Sequence, residues 1–349
     1  MKNFNYMRPK TVAEAIAAAN ATNTAVLAAG TNLLDLMKGG VISPTTIVDI
    51  GHLPGLDRIE RGKDGSLRIG ALVRNADIAH DADIARRFPA VAEALLSGAS
   101  AQLRNAATAA GNILQRTRCP YFYDTACACN KRQPGSGCDA IAGENRLQAI
   151  LGWSAHCIAT HPSDFAVPLV ALDAVVELEG PNGRRDLPLD SFYLLPADKP
   201  EHETALLPGE LVIAIRIPAG AEHFAAYSRY LKVRERTSYA FAVVAAAAAL
   251  RMDGPVIAEA RIALGGVALK PWRLRDMEEA LVGANPTAAA FTSAAEVALA
   301  DARPSGNNAF KIGLARRLIV RTLSLAARGT PARLPALPAS PFSGDFAHV

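Results

Sequence analysis

The chain has 349 residues, half of them apolar and 20% charged, with 37 Lys+Arg against 33 Asp+Glu for a net charge of +4. That balance excludes a disordered chain and supplies enough apolar material for two or three domains. The positive charge is dispersed, which argues against a nucleic-acid track or a basic membrane patch, and no apolar run is long enough to span a membrane as a helix.

The start, Met1 to Tyr6, lacks the apolar core of a secretory signal, so synthesis in the cytoplasm without an export address of its own is expected. Thr11-Val12-Ala13-Glu14 reads as a capping box that opens an Ala-rich helix running to about Ala21. A short apolar strand over 25–29 ends in Gly30-Thr31-Asn32, passes into Leu33-Leu34-Asp35-Leu36, and is followed by a strand over 46–50.

Beyond Pro54-Gly55 a larger unit mixes strands over 67–69, 157–159, 175–178 and 211–217 with helices over 77–85, 89–97 and 164–172. Within it, 116–144 has almost no periodicity and is rich in Gly, Pro, Asn and Cys, as expected of a functional loop. After Pro218-Ala219-Gly220 come strands over 224–232, 241–250 and 257–264, then helices over 272–281, 288–300 and 308–327. Pro331, Pro335, Pro338 and Pro341 rule out a helix in the tail, which is expected to be extended and to lie against a partner or remain disordered.

All five cysteines fall between Cys119 and Cys157, spaced C-x7-C-x-C-x8-C-x18-C. A secreted disulfide scaffold would spread its thiols along the chain, so a local inorganic site is the better reading. Structural zinc favours pairs with the C-x2-4-C spacing, and no such pair occurs here, whereas an iron–sulfur cluster tolerates irregular spacing. Zinc and plain buried thiols stay open on spacing alone. Arg116, Arg118, Lys131 and Arg132 stand close enough in sequence to offset the charge of thiolates.

Gly30 sits where a strand turns into a helix, which suits either an ordinary turn or close approach of the backbone to a pyrophosphate. The small-residue stretch 100–112 allows a similar approach. In His161-Pro162-Ser163-Asp164, either Ser163 or Asp164 is a good N-cap for the apolar helix that follows. Lys232 is either a solvated charge or a cation placed near an electron-rich ring. The chain has no G-x-G-x-x-G, no Walker A loop, no G-x-S-x-G elbow and no H-E-x-x-H.

Four segments, Leu27-Ala28-Ala29-Gly30-Thr31-Asn32-Leu33-Leu34, Thr108-Ala109-Ala110-Gly111-Asn112, His161-Pro162-Ser163-Asp164 and Tyr230-Leu231-Lys232, occur here in an order that resembles one protein class. It is the FAD-binding medium subunit of molybdenum hydroxylases, the xanthine dehydrogenase and aldehyde oxidoreductase family, and the resemblance runs over about residues 1–328, including Ile262-Ala263-Leu264-Gly265-Gly266-Val267. Arg118-Cys119-Pro120-Tyr121-Phe122 and Cys129 through Cys138 are similar to a bacterial subgroup typified by the periplasmic aldehyde oxidoreductase, whose flavin subunit carries an additional [4Fe-4S] cluster. Ala28-Ala29-Gly30 stands where Ala-Gly-Gly is usual, and Ala109-Ala110 precedes Gly111. A modest change in flavin affinity is expected from losing glycine freedom there.

The resemblance implies an α+β fold: a two-part FAD-binding domain of the vanillyl-alcohol-oxidase/PCMH type, with parts at 1–55 and 56–219, followed by a smaller α/β C-terminal domain at 220–329 and an extended Pro-rich tail at 330–349. It implies FAD in the cleft, its pyrophosphate on Leu27, Ala28, Ala29, Gly30, Thr31, Asn32, Leu33 and Leu34 and on Thr108, Gly111 and Asn112. By the same resemblance Asp164 lies near the ribose or pyrophosphate, Val212 near the ring or adenine, and Lys232 near the isoalloxazine. The implied [4Fe-4S] ligands are Cys119, Cys129, Cys138 and Cys157, with Cys127 the extra thiol.

The implied role is electron transfer, with no catalytic residue on this chain. A molybdopterin-binding large subunit and a [2Fe-2S] small subunit complete a heterotrimer, and the flavin passes electrons to an external acceptor. Export on the signal of a partner subunit would place the assembly in the periplasm. The competing reading is a self-contained flavin oxidase or dehydrogenase of the same fold, for which no convincing catalytic base is found.

Overall fold

A computed structural model describes residues 1–332; what was expected of the tail beyond Ala332 lies outside the described residues. Three sheets organise the chain. The first is parallel: β1 (Asn5–Met7) and β2 (Thr24–Leu27) flank β3 (Thr46–Asp49), with the helices α1 (Val12–Ala19) and α2 (Leu33–Lys38) in the connections. Thr11 caps α1 by accepting the Glu14 amide at 3.1 Å, while Glu14 reaches back one residue further than expected, to the amide of Lys10 at 2.7 Å.

The second sheet is antiparallel, in the order β4 (Ile59–Arg61), β5 (Leu67–Gly70), β8 (Leu211–Ile217), β6 (Val175–Gly180) and β7 (Gly183–Pro188). Helices intervene between β5 and β6. The single helix expected over 77–85 is two, α3 (Asn75–His80) and α4 (Ala82–Arg87), because Asp81 leaves the helical conformation and accepts the amides of Asp83 and Ile84 at 2.9 and 2.8 Å. Next come α5 (Pro89–Ser97), α6 (Ala101–Ala106), α7 (Ala109–Ile113) and α8 (Pro120–Tyr123); α6 and α7 fold the small-residue stretch into two helical turns that composition alone did not announce. The strand expected over 157–159 is only an isolated bridge between Ser154 and Cys157. The remaining helices of this part are α9 (Ala166–Ala171) and α10 (Leu189–Phe192).

The third sheet runs β12 (Trp272–Arg273), β11 (Val256–Gly265), β10 (Val244–Asp253), β9 (Ser228–Val233), all antiparallel. Residues 221–227 form a 3-10 turn rather than the start of β9, because Gly220 at φ +83° redirects the chain and Phe224 is buried beneath it. The helices α11 (Arg275–Leu281), α12 (Ala288–Ala298) and α13 (Phe310–Ala327) cover this sheet.

The uninterrupted apolar run of β10 follows from burial on both faces. Ala245, Ala247 and Ala249 pack into the large core shared with the second sheet. Val244, Ala246, Ala248 and Leu250 face α11, α12 and α13. In β8, Leu211 and Ile213 similarly join the core of the first sheet, while Val212, Ile215 and Ile217 join the large core. Two strands thus fuse three units into one body.

Candidate functional site

The first candidate surface is the turn after β2. Gly30 adopts φ +76°, and a Cβ there would stand 2.7 Å from Leu34 Cδ1 and 3.2 Å from Leu27 Cδ1. The positive φ calls for glycine, and the close Leu34 and Leu27 side chains would have to shift for any larger residue. No amide from 29 through 33 finds an acceptor among the described residues, so the turn presents a row of unsatisfied donors at the entry to α2. Such a cradle fits a pyrophosphate.

Asn32 does not cap α2. Its Oδ1 accepts the Arg116 amide at 2.8 Å, and its Nδ2 lies 3.4 Å from the Tyr123 hydroxyl. The side chain of the cradle's central residue therefore holds the entry of the cysteine loop, leaving the backbone of the cradle to meet a ligand.

The second stretch is arranged differently. Thr108 caps α7 through the Gly111 amide at 3.3 Å, Ala109 and Ala110 donate to the carbonyls of Val73 and Ala71, and Asn112 donates to Thr108 O. Its amides are thus already paired. What it offers is the Asn112 side chain, whose Oδ1 accepts from Ser163 Oγ at 2.7 Å and from Gln115 Nε2 at 2.9 Å.

Ser163 also accepts the Ala166 amide at 3.0 Å, so the capping role falls to it and not to Asp164. Asp164 turns instead to β9: Oδ1 accepts from the Tyr230 hydroxyl at 2.6 Å and Oδ2 from Lys232 Nζ at 2.7 Å. Lys232 is buried, not solvated, and donates also to Ser97 O at 3.3 Å. Thr108, Asn112, Asp164 and Lys232 are thereby linked through α7, the turn before α9, and β9. Val212 sits in the middle of the second sheet with its side chain buried in the large core.

The second candidate is a cavity in the loop that follows Arg116. Cys119, Cys129, Cys138 and Cys157 all line it, together with Thr117, Phe122 and Lys131, whereas Cys127 is outside and partly exposed. Cys129 and Cys138 face each other across a two-residue bridge whose turn uses Gly135 and Gly137 at φ +82° and +100°. Asn130 ties the loop shut, accepting the Gly137 amide at 2.8 Å and donating to His156 O at 3.0 Å. Arg132, expected to offset thiolate charge, is spent on the carbonyls of Tyr121, Phe122 and Cys127. The loop also has a small core of its own, in which Phe122, Ala140 and Ile158 pack with Leu36 and Val41.

Burial raises the thiols of Cys119 and Cys138 above their ordinary value and pushes Cys157 up to about 11. Opposing it, the neighbouring amides of Phe122 and Tyr121 lower Cys119, those of Ala140, Ile141 and Ile158 lower Cys138, and the Lys131 cation, with the Ala159 amide, lowers Cys157. Gln148 Nε2 adds a donor 3.4 Å from Cys119 Sγ. Donors aimed at sulfur favour the thiolate, which is the form that binds metal. Among the described residues no group of three or more His, Cys, Asp or Glu side chains is drawn together around a single ion. Four sulfurs spaced around a common cavity fit a larger inorganic object.

Sequence reasoning did not single out Gln148, or Glu203, which pairs with Lys131 at 2.8 Å and also with Arg116. Both lie outside every motif, and only folding brings them to the loop.

Comparison with known proteins agrees over nearly the whole chain. A family described as "FAD binding domain in molybdopterin dehydrogenase" matches residues 2–220, and one described as "CO dehydrogenase flavoprotein C-terminal domain" matches residues 229–326. The aldehyde oxidoreductase FAD-binding subunit PaoB of Escherichia coli (strain K12) is 48% identical over 330 residues, covering 93% of this chain and 99% of that one. The carbon monoxide dehydrogenase medium chain of Hydrogenophaga pseudoflava is 28% identical, over 93% and 96%. A solved carbon monoxide dehydrogenase from the same organism, lacking the Mo-pyranopterin moiety of its molybdenum cofactor, superposes with a TM-score of 0.73 at 28% identity, covering 94% of this chain and 99% of that one.

Proposed function

Because the chain belongs to the family of FAD-binding medium subunits of molybdenum hydroxylases, we propose that it is the flavin subunit of a molybdenum-dependent aldehyde oxidoreductase and carries, besides FAD, a [4Fe-4S] cluster. The aldehyde assignment rests on the 48% identity to a subunit that bears that name. The observation that carries the cluster is the convergence of Cys119, Cys129, Cys138 and Cys157 on one cavity with Cys127 excluded, the same four thiols that the family resemblance implied. In this reading a molybdopterin-binding large subunit oxidises the aldehyde, a [2Fe-2S] small subunit relays electrons, and an external acceptor receives them from this chain.

When bound, FAD supplies a carrier that exchanges electrons singly or in pairs, and the cluster a one-electron carrier beside it. The residues of this chain orient those groups. The free amides from 29 through 33 receive the pyrophosphate, and Gly30 keeps the approach clear. Asp164 and Lys232 form a neutral, fixed pair near the bound flavin, so the cation adds little net charge to its surroundings. Around the cluster, the six amides and Gln148 stabilise the thiolates, and Phe122, Ala140 and Ala159 restrict water. Asn32 couples the two sites mechanically, since its backbone belongs to the cradle and its side chain to the cysteine loop.

The test is the visible spectrum of the purified chain with flavin and iron assays, followed by reduction with an artificial donor. One FAD and about four iron atoms per chain are expected, with reduction by dithionite but not by aldehyde in the absence of the partner subunits. Flavin without iron would remove the cluster from the reading. Bleaching of the flavin by aldehyde in the molybdenum-free single chain would instead favour the self-contained oxidase.

A further inference from the structure

Glu203 lies in the segment that returns beside Phe192–Leu194, where its carbonyl accepts the Leu194 amide at 3.0 Å and Ala205 donates to Phe192 O at 2.8 Å. On this anchored backbone its carboxylate meets two cations from the cysteine loop, Arg116 at Oε2 and Lys131 Nζ 2.8 Å from Oε1. The approaches are ion contacts rather than well-aligned hydrogen bonds, since neither Arg116 Nε nor Glu203 Oε1 has a hydrogen-bond partner. Lys131 is only 1% exposed and its other anchor is Pro200 O at 2.6 Å.

The position of these charges matters more than their count. Lys131 lines the four-cysteine cavity. Arg116 packs its guanidinium 5.0 Å from the Phe122 ring, on the wall of the same cavity, while its amide is held by Asn32 of the cradle. Lys131 therefore faces the sulfurs, Arg116 stands against the Phe122 wall with its side chain 29% exposed, and one carboxylate bridges the two cations and offsets half their charge. In a buried setting such charges act over several ångströms with little screening. Reduction adds an electron to an already anionic thiolate cluster, so each buried positive charge nearby favours reduction and each negative charge opposes it.

We propose that Glu203 is a positioning residue that sets the reduction potential of the cluster held by Cys119, Cys129, Cys138 and Cys157, by fixing Lys131 and Arg116 and cancelling part of their field. This rests on the cluster reading given above. Glu203 touches neither sulfur nor cofactor cavity directly; it acts through the two cations.

The experiment uses the full chain purified without its partner subunits, so that all the iron measured belongs to it. Iron content of the unmodified protein is measured first, because its absence would overturn the cluster reading and this proposal with it. Glu203→Gln and Glu203→Asp are then compared by iron content and by redox titration followed with electron paramagnetic resonance. With Glu203→Gln, iron stays at the unmodified level and the midpoint potential rises; Glu203→Asp, which retains the charge, stays close to the unmodified value. Lys131→Gln shifts the potential the opposite way. Unchanged potential in Glu203→Gln with full iron overturns the proposal. So does loss of iron in Glu203→Gln while Glu203→Asp keeps both iron and potential, since the residue would then only support the loop.

Discussion

Asp164 Oδ2 lies 2.7 Å from Lys232 Nζ, and the two side chains are only 10% and 3% exposed. They come from the turn before α9 and from β9, so the pair pins the flavin-binding part of the chain to the third sheet. Tyr230 adds its hydroxyl to the same carboxylate at 2.6 Å.

Breaking that pair on one side leaves a buried cation without its counter-charge. Asp164→Asn should therefore destabilise the protein by roughly 3–5 kcal/mol and lower FAD occupancy. The double variant Asp164→Asn/Lys232→Met should recover part of the stability. Denaturant midpoints and the ratio of flavin to protein absorbance measure both effects. A single variant as stable as the unmodified protein would show that the pair is not held against solvent.

At the cradle, Gly30→Val places a β-branched side chain at φ +76°. The backbone strain costs about 1–3 kcal/mol, and the new methyls obstruct the approach to the free amides. FAD retention after gel filtration should fall at least about tenfold, equivalent to ~1.4 kcal/mol, while iron content stays unchanged. Full FAD occupancy would place the pyrophosphate elsewhere.

Among the thiols, Cys129→Ser should abolish the iron–sulfur signal, since one corner of the cavity loses its thiolate. Cys127→Ser should leave it intact. Equal iron loss per flavin in the two variants would mean that another set of four cysteines binds the cluster.

His161 gives the protein a pH-dependent term. Burial lowers its pKa from 6.5 to about 4, and its Nε2 has no hydrogen-bond partner among the described residues. Between those two values the unfolded chain takes up a proton that the folded chain refuses, so stability falls as pH drops from 6.5 toward 4. The full loss is about 3 kcal/mol, and His161→Gln should remove most of that slope in urea midpoints measured across the range. An unchanged slope would assign the acid sensitivity to other groups.

Lys311 on α13 is fully buried and donates to the carbonyls of Leu147, Gln148 and Gly266 at 2.9, 2.8 and 2.7 Å. Burial brings its pKa down to about 7. Lys311→Met keeps the packing but leaves these carbonyls unpaired, so a loss of about 2 kcal/mol or more is expected. Because Gln148 also reaches Cys119, faster iron loss to a chelator should accompany the weaker fold. Unaltered chelation kinetics would separate the helix from the cysteine loop.

Local chemistry wrote much of this protein into its sequence. Pro89 at the first position of α5, Thr11 before α1 and the apolar run of β8 act within a few residues, and those elements form where their residues foretell. Gly30 was legible for the same reason: a positive φ is a property of one residue. The clustering of five thiols between Cys119 and Cys157 was legible as a candidate inorganic site, while spacing alone did not say which four of them share one cavity.

Tertiary structure decided what depends on side chains meeting across long stretches of chain. Asp81 broke an expected helix because its carboxylate competed for nearby amides, a choice that pattern alone left open. Cys127 differs from Cys129 by two positions, yet only folding turns one into the cavity and the other outward. Lys232 reads as a surface charge until β9 carries it to Asp164, and Glu203 carries no motif at all until the loop from Arg116 to Lys131 closes over it. Burial makes each of these meetings consequential, because a charge removed from water must find its partner in the fold.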